Sequence, residues 1–205
     1  MCSSDLGPRR WEAWLLGLLA AAVVVATSRD YGFAVDEATY LWVCRQERAW
    51  FAELGERGLQ ESLSKEGIAR RWHFLEPPAA VVDAPHSNFN LPLAHHLMNA
   101  GWAVGRLALD ELRATRLSAA LLFGCCAGAV YAAVGSQYGR PAGLFSAVAL
   151  VCSPRIFGHA HFAATETPLS ALWTLALLAA DRASRSADPR EARRRALVAS
   201  LLTAA

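Results

Sequence analysis

The run from Trp11 to Ser28 reads WEAWLLGLLAAAVVVATS, and this run limits what the chain can become. A helix needs about 20 mostly apolar residues to cross a bilayer, and this run approaches that length. Arg9 and Arg10 precede it, and Trp11 and Trp14 open it. Basic residues followed by tryptophans mark the cytoplasmic interface of a spanning helix. A cleaved signal peptide is the alternative, but no A-x-A site closes the run.

Further apolar runs follow. Leu117 to Val134 carries no charge, and Arg113 and Arg116 precede it. Pro141 to Phe157 and the stretch from about Thr167 to Ala180 are two more. The chain is 54% hydrophobic, and these residues are bunched rather than spread as in a soluble domain. The pattern predicts an all-α, polytopic membrane bundle with spanning helices near 11–28, 117–134, 141–157 and 166–182. The whole of 1–205 reads as one membrane domain. ALVASLLTAA, at 196–205, has about half a spanning length. It reads as the start of a fifth helix near 195–205, and so as the N-terminal part of a longer, cut chain that is inactive alone.

The connections set an orientation. Residues 181–195, DRASRSADPREARRR, hold six arginines against three acids. If the first helix runs outward, this loop falls in the cytoplasm, as the positive-inside rule requires. Residues 135–140 then also face the cytoplasm, and 29–116 and 158–167 face outward. Trp50, Phe51, Leu54, Leu59 and Leu63 recur at roughly helical spacing in the first outer loop. Pro92 suits the first turn of another helix. Short surface helices within 45–108 fit this pattern, and a small soluble subdomain is the alternative.

Composition removes several functions. The net charge of +2 argues against a nucleic-acid partner. Five cysteines show no metal spacing, and GxGxxG, P-loop and HExxH motifs are absent.

The chemistry-bearing stretch is YGFAVDEATY, residues 31–40, with Asp36 and Glu37 side by side beyond the first span. Carboxylates at a membrane surface are candidate chemical groups. The structural alternative is that they start an ordinary helix at Ala38. Glu166 opens the fourth apolar segment on the same predicted side, preceded by Arg155, His159 and His161. An acid there can also serve the helix dipole alone, and an HxH pair is weak evidence for a metal.

Together these features resemble the C-type glycosyltransferase superfamily, with the protein O-mannosyltransferases and bacterial lipid A aminoarabinose transferases as the nearest groups. Asp36 and Glu37 in VDEATY match the acidic motif that opens the first outer loop there. NLPLAHHL, from Asn90 through Leu93 to the histidines, partly matches an HPPL-type or KPPL-type motif. RATRLSAALL, at 113–122, resembles the arginine-led opening of the next helix. SPRIFGHAHFAATETPLSAL, at 153–172, resembles the second outer loop, with Glu166 where aspartate is usual. The resemblance covers about 11–182.

The resemblance implies a hexosyl- or pentosyltransferase in a bacterial inner (plasma) membrane, working on the extracytoplasmic face. A polyprenyl-phosphate sugar is the donor, and an outer protein, lipid or glycan is the acceptor. Asp36 is then the base, with Glu37 and Glu166 orienting the acceptor or holding a divalent metal. Arg155, His159 and His161 meet the phosphate, and Asn90 and His95 join the substrate site. The transition state resembles an oxocarbenium ion flanked by carboxylates, so Asp36 and Glu166 are expected within about 10 Å. A secondary transporter or flippase, or a non-catalytic subunit of the same fold, are the alternatives.

Overall fold

The computed structural model describes residues 8–64, 66 and 92–204. Helix α1 is Arg10–Thr27, α2 is Val35–Ser62, α3 is Pro92–Gly105 and α4 is Glu111–Tyr138. After these come α5, Arg140–Val151; α6, Pro154–His159; α7, Glu166–Ser184; and α8, Pro189–Ala204. No strand occurs among the described residues. The described residues are all-α, and α1 and α4 are long and apolar enough to cross a membrane.

The 28-residue α4 is the axis of the bundle, packing against α1, α3, α5 and α7. Asp110 caps it by accepting the Arg113 N–H at 3.0 Å. It stops at Gly139, whose φ of 89° lies in the left-handed region that favours glycine. Pro141 then starts α5 in its first turn, where a missing N–H is harmless.

Small residues bring α1 and α4 into backbone contact. Ala13, Gly17 and Ala21 repeat every fourth position and meet Gly124 and Gly128 of α4. A Cβ on Gly17 would lie 2.8 Å from the Gly124 carbonyl oxygen, and one on Gly128 2.5 Å from that of Ala13. Such small-residue crossings are typical of helices that associate by close packing in lipid. Beside the seam, Val24, Ala120, Phe123, Ala127 and Ala160 form one core. Tyr40, Cys44, Ala94, Met98 and Ala163 form a second, joining α2, α3 and the turn before α7.

Large apolar side chains cover the outside. Trp14, Leu18, Phe145, Trp173, Leu177 and Leu201 are all exposed. A girdle of this kind suits a membrane setting better than water.

Two segments differ from the sequence expectation. The helical pattern at 50–63 belongs to α2, which starts upstream at Val35 and is two helical pieces joined at a kink at Gly58. The third apolar segment breaks after Val151, because Pro154 begins a new helix after the extended Ser153.

Candidate functional site

The site grows from the first turn of α2. Ala34 precedes it in an extended conformation and donates its N–H to Glu37 at 2.9 Å. This is the reach-back of an acid at the third helical position, which satisfies a backbone donor at the helix start. The carboxylate then accepts much more. Arg116 of α4 donates Nε to one oxygen at 2.8 Å and Nη2 to the other at 2.6 Å. The Ala163 N–H reaches the first oxygen at 2.7 Å. Glu37 is fully buried and Arg116 nearly so. Four N–H donors fill the acceptor sites of one carboxylate, the arrangement that makes a buried ion pair tolerable.

Arg116 also ties down the chain between α1 and α2. Its remaining N–H groups go to the carbonyls of Ser28 and Tyr31, each at 3.3 Å, and of Gly32 at 2.7 Å. One arginine thus fixes the acidic motif, the end of α1 and, through Glu37, the turn before α7.

His161 builds the adjoining wall. Its ring stacks on Tyr31 with centroids 3.8 Å apart and meets Phe157 edge-on at 4.6 Å. Nδ1 lies 2.7 Å from the Phe157 carbonyl, so it carries the proton and donates. Nε2 lies 2.7 Å from the Thr27 hydroxyl. Burial lowers the imidazole pKa, and the Arg116 charge lowers it further. Between this wall and α4 lies a small pocket. Arg113, Arg116 and His161 stand over apolar sides from Val24, Leu117 and Ala120.

Asp36 and Glu166 are both exposed, Asp36 next to the buried Glu37 and Glu166 three positions beyond Ala163. The Glu37–Ala163 hydrogen bond thereby brings the two segments that carry them to one corner of the bundle. Arg155 is exposed on α6, and His159, at its end, is half-buried. His161 is wholly buried, with both ring nitrogens engaged. Asn90 lies outside the described residues. His95 is buried on α3 beside Tyr40 and Glu47, a layer below Glu37. Among the described residues, no three His, Cys, Asp or Glu side chains gather into a metal set.

That lower layer contains groups the sequence reading missed. Glu47 is buried and accepts from Asn99 at 2.8 Å, with His96 Nδ1 at 3.3 Å and His95 Nδ1 at 3.7 Å. Burial raises the Glu47 pKa, against the pull of His96 and Asn99. Arg48 donates to Asn99 at 3.0 Å and to Glu111 at 2.6 Å, and Arg45 grips the same Glu111 at 2.8 Å. The spacing of Glu37, Tyr40, Cys44 and Glu47 on one face of α2 is the signal that would have found Glu47.

At the far end of the bundle, Glu12 is buried and receives the Tyr131 hydroxyl and the Arg140 guanidinium. An acid inside an apolar span is the sequence cue for such a partner. Arg116 and Tyr131 stand 15 positions apart on α4, about 22 Å along a helix. An arginine–carboxylate contact thus stands at each end of the bundle, Arg116 with Glu37 buried and Arg140 with Glu12 half-exposed.

The class comes from the family comparison, which gives a membrane glycosyltransferase of the C type. Residues 92–204 match the dolichyl-phosphate-mannose-protein mannosyltransferase family, and the chain belongs to it. Membership implies a lipid-linked sugar donor and a membrane setting. No curated protein and no solved structure matches the chain.

Proposed function

We propose that the protein transfers a sugar from a polyprenyl-phosphate carrier to an extracytoplasmic acceptor, with Asp36 as the base. The observation that carries this reading is the Glu37 clasp. It spends Glu37 on Arg116 and Ala163 and leaves Asp36 exposed at the same corner as Glu166. A lipid phosphate departs as a stable anion, so the chemistry needs a base for the acceptor and cations for the phosphate.

Asp36 takes the proton of the acceptor hydroxyl or amine as that group attacks the anomeric carbon. Glu166 faces the same sugar and stabilises its developing positive charge. Arg155 and His159, at the corner's rim, meet the departing phosphate. His161 shapes the wall and leaves the charge contact to these two. A divalent ion, where one is used, would sit between Asp36 and Glu166. In this reading α1, α4 and α7 cross the bilayer, α5 and α6 cross it together as one broken span, α2 and α3 lie at the outer surface, and the arginine-rich 181–195 connection is cytoplasmic.

The test is sugar transfer from a polyprenyl-phosphate donor by membranes that carry the protein. Asp36→Asn should lower turnover about 100-fold or more. Unchanged turnover overturns the base assignment. Movement of the lipid-linked sugar across the bilayer without transfer favours the transporter alternative.

A further inference from the structure

One end of the bundle carries a surface that the transfer reaction does not use. Glu12 with Tyr131 and Arg140 brings the starts of α1 and α5 to the end of α4. Gln137 donates to Asp181 at 3.0 Å and adds the end of α7. Arg195 of α8 donates to the Arg182 carbonyl at 3.2 Å and adds the α7–α8 turn. Three stretches far apart in sequence, 9–14, 137–140 and 181–195, therefore share one end.

Their arginines divide into two groups. Arg140, Arg185 and Arg195 pair with Glu12, Asp181 and Glu191. Arg9, Arg10, Arg190, Arg193 and Arg194 are exposed, and among the described residues none of their guanidinium groups forms a salt bridge, although the backbone N–H groups of Arg9 and Arg190 donate to Glu12 and Asp188. Trp11, Trp14 and Tyr138 are exposed at the same end. Unpaired guanidinium groups beside exposed indole and phenol rings match the layer where phosphate headgroups meet acyl chains. A soluble polyanion would leave the tryptophans in water.

We propose that this end binds anionic phospholipids of the surrounding leaflet through Arg9, Arg10, Arg190, Arg193 and Arg194. The inference rests on the membrane reading above and adds a lipid partner to it. Each guanidinium takes a phosphate oxygen through paired N–H donors, and the rings pack on the glycerol and upper acyl region. The opposite end, where Asp36 and Glu166 lie, has no part in this contact.

The test is lipid retention in nanodiscs of equal parts phosphatidylglycerol and phosphatidylcholine, without sugar donor. The protein is extracted with detergent and its bound lipids are counted. Phosphatidylglycerol should be enriched several-fold, and salt should weaken the enrichment. Replacing Arg190, Arg193 and Arg194 with Gln should remove most of the enrichment and bring the lipid ratio towards one, and replacing them with Lys should keep most of it. Equal retention of both lipids, or enrichment unchanged in the Gln variant, overturns the inference and leaves the transferase reading standing. Failure to enter the bilayer overturns both. Soluble glycerol phosphate at the same concentration should not displace the lipid, and displacement would assign the patch to free phosphates.

Discussion

Arg116 holds Glu37 in a two-pronged contact of 2.8 and 2.6 Å across 79 positions of sequence. Both side chains are almost wholly removed from solvent. The pair fixes the start of α2 on α4, and the Ala163 N–H on the same carboxylate brings in the turn before α7.

Breaking that pair from one side should be expensive. Arg116→Ala strands a buried carboxylate, which costs about 3–5 kcal/mol. Arg116→Lys should recover little, because an ammonium cannot reproduce the fork or reach three carbonyls as well. Thermal unfolding in detergent would read this as a large drop for both variants. A melting temperature within a degree or two of the parent would remove the clasp from the account.

The neighbouring acids should separate cleanly. Asp36→Asn changes an exposed side chain and should leave the melting temperature alone while removing transfer. Glu37→Ala should lower both, since it uncovers the Arg116 charge. Melting curves and transfer rates on the two proteins check this. The reverse pattern would assign the base to Glu37.

The α1–α4 seam predicts a steric effect. A side chain at Gly128 has the Ala13 carbonyl oxygen only 2.5 Å from its Cβ, and helix backbone cannot yield locally. Gly128→Val should therefore destabilise by about 1–3 kcal/mol. Gly55, with open space around it, offers a control in which Ala should be nearly neutral. Equal melting temperatures for Gly128→Val and Gly55→Ala would contradict the close crossing.

Acid should loosen the wall beside the site. Burial holds His161 below its ordinary pKa, so the unfolded chain binds its proton first as pH falls. The stability this neutral ring contributes is complete above about 6.5 and is lost as pH drops below that value. A comparison of melting temperatures at pH 7.5 and 5.5 should show this loss, and His161→Phe should flatten it. Residual slope from other groups sets the baseline. A slope unchanged in the variant would show that His161 does not govern it.

Orientation is open to direct measurement. Cysteine placed at Gln60 should be labelled from outside by an impermeant reagent, and cysteine at Arg185 should be protected. The opposite result would invert the bundle and move the arginine-rich end to the outer leaflet.

The apolar runs dictated helices, and the turn residues dictated where several of them begin. Pro154 and Pro189 open helices, Asp110 caps α4, and Gly139 ends it, all through local backbone chemistry. The acidic motif and the 153–172 segment were legible for the same reason, because each lies within a few consecutive positions. Which acid of the motif turns inward was not. Asp36 and Glu37 are about 100° apart around a helix, and only the packing of α2 on α3 and α4 decides which one is buried. The partners Arg116, Ala163 and Tyr131 were likewise hidden, since each is chosen across 79 to 126 positions by the way helices cross. The crossing in turn depends on the small residues of α1 and α4, whose meaning as a contact exists only once the two helices lie together.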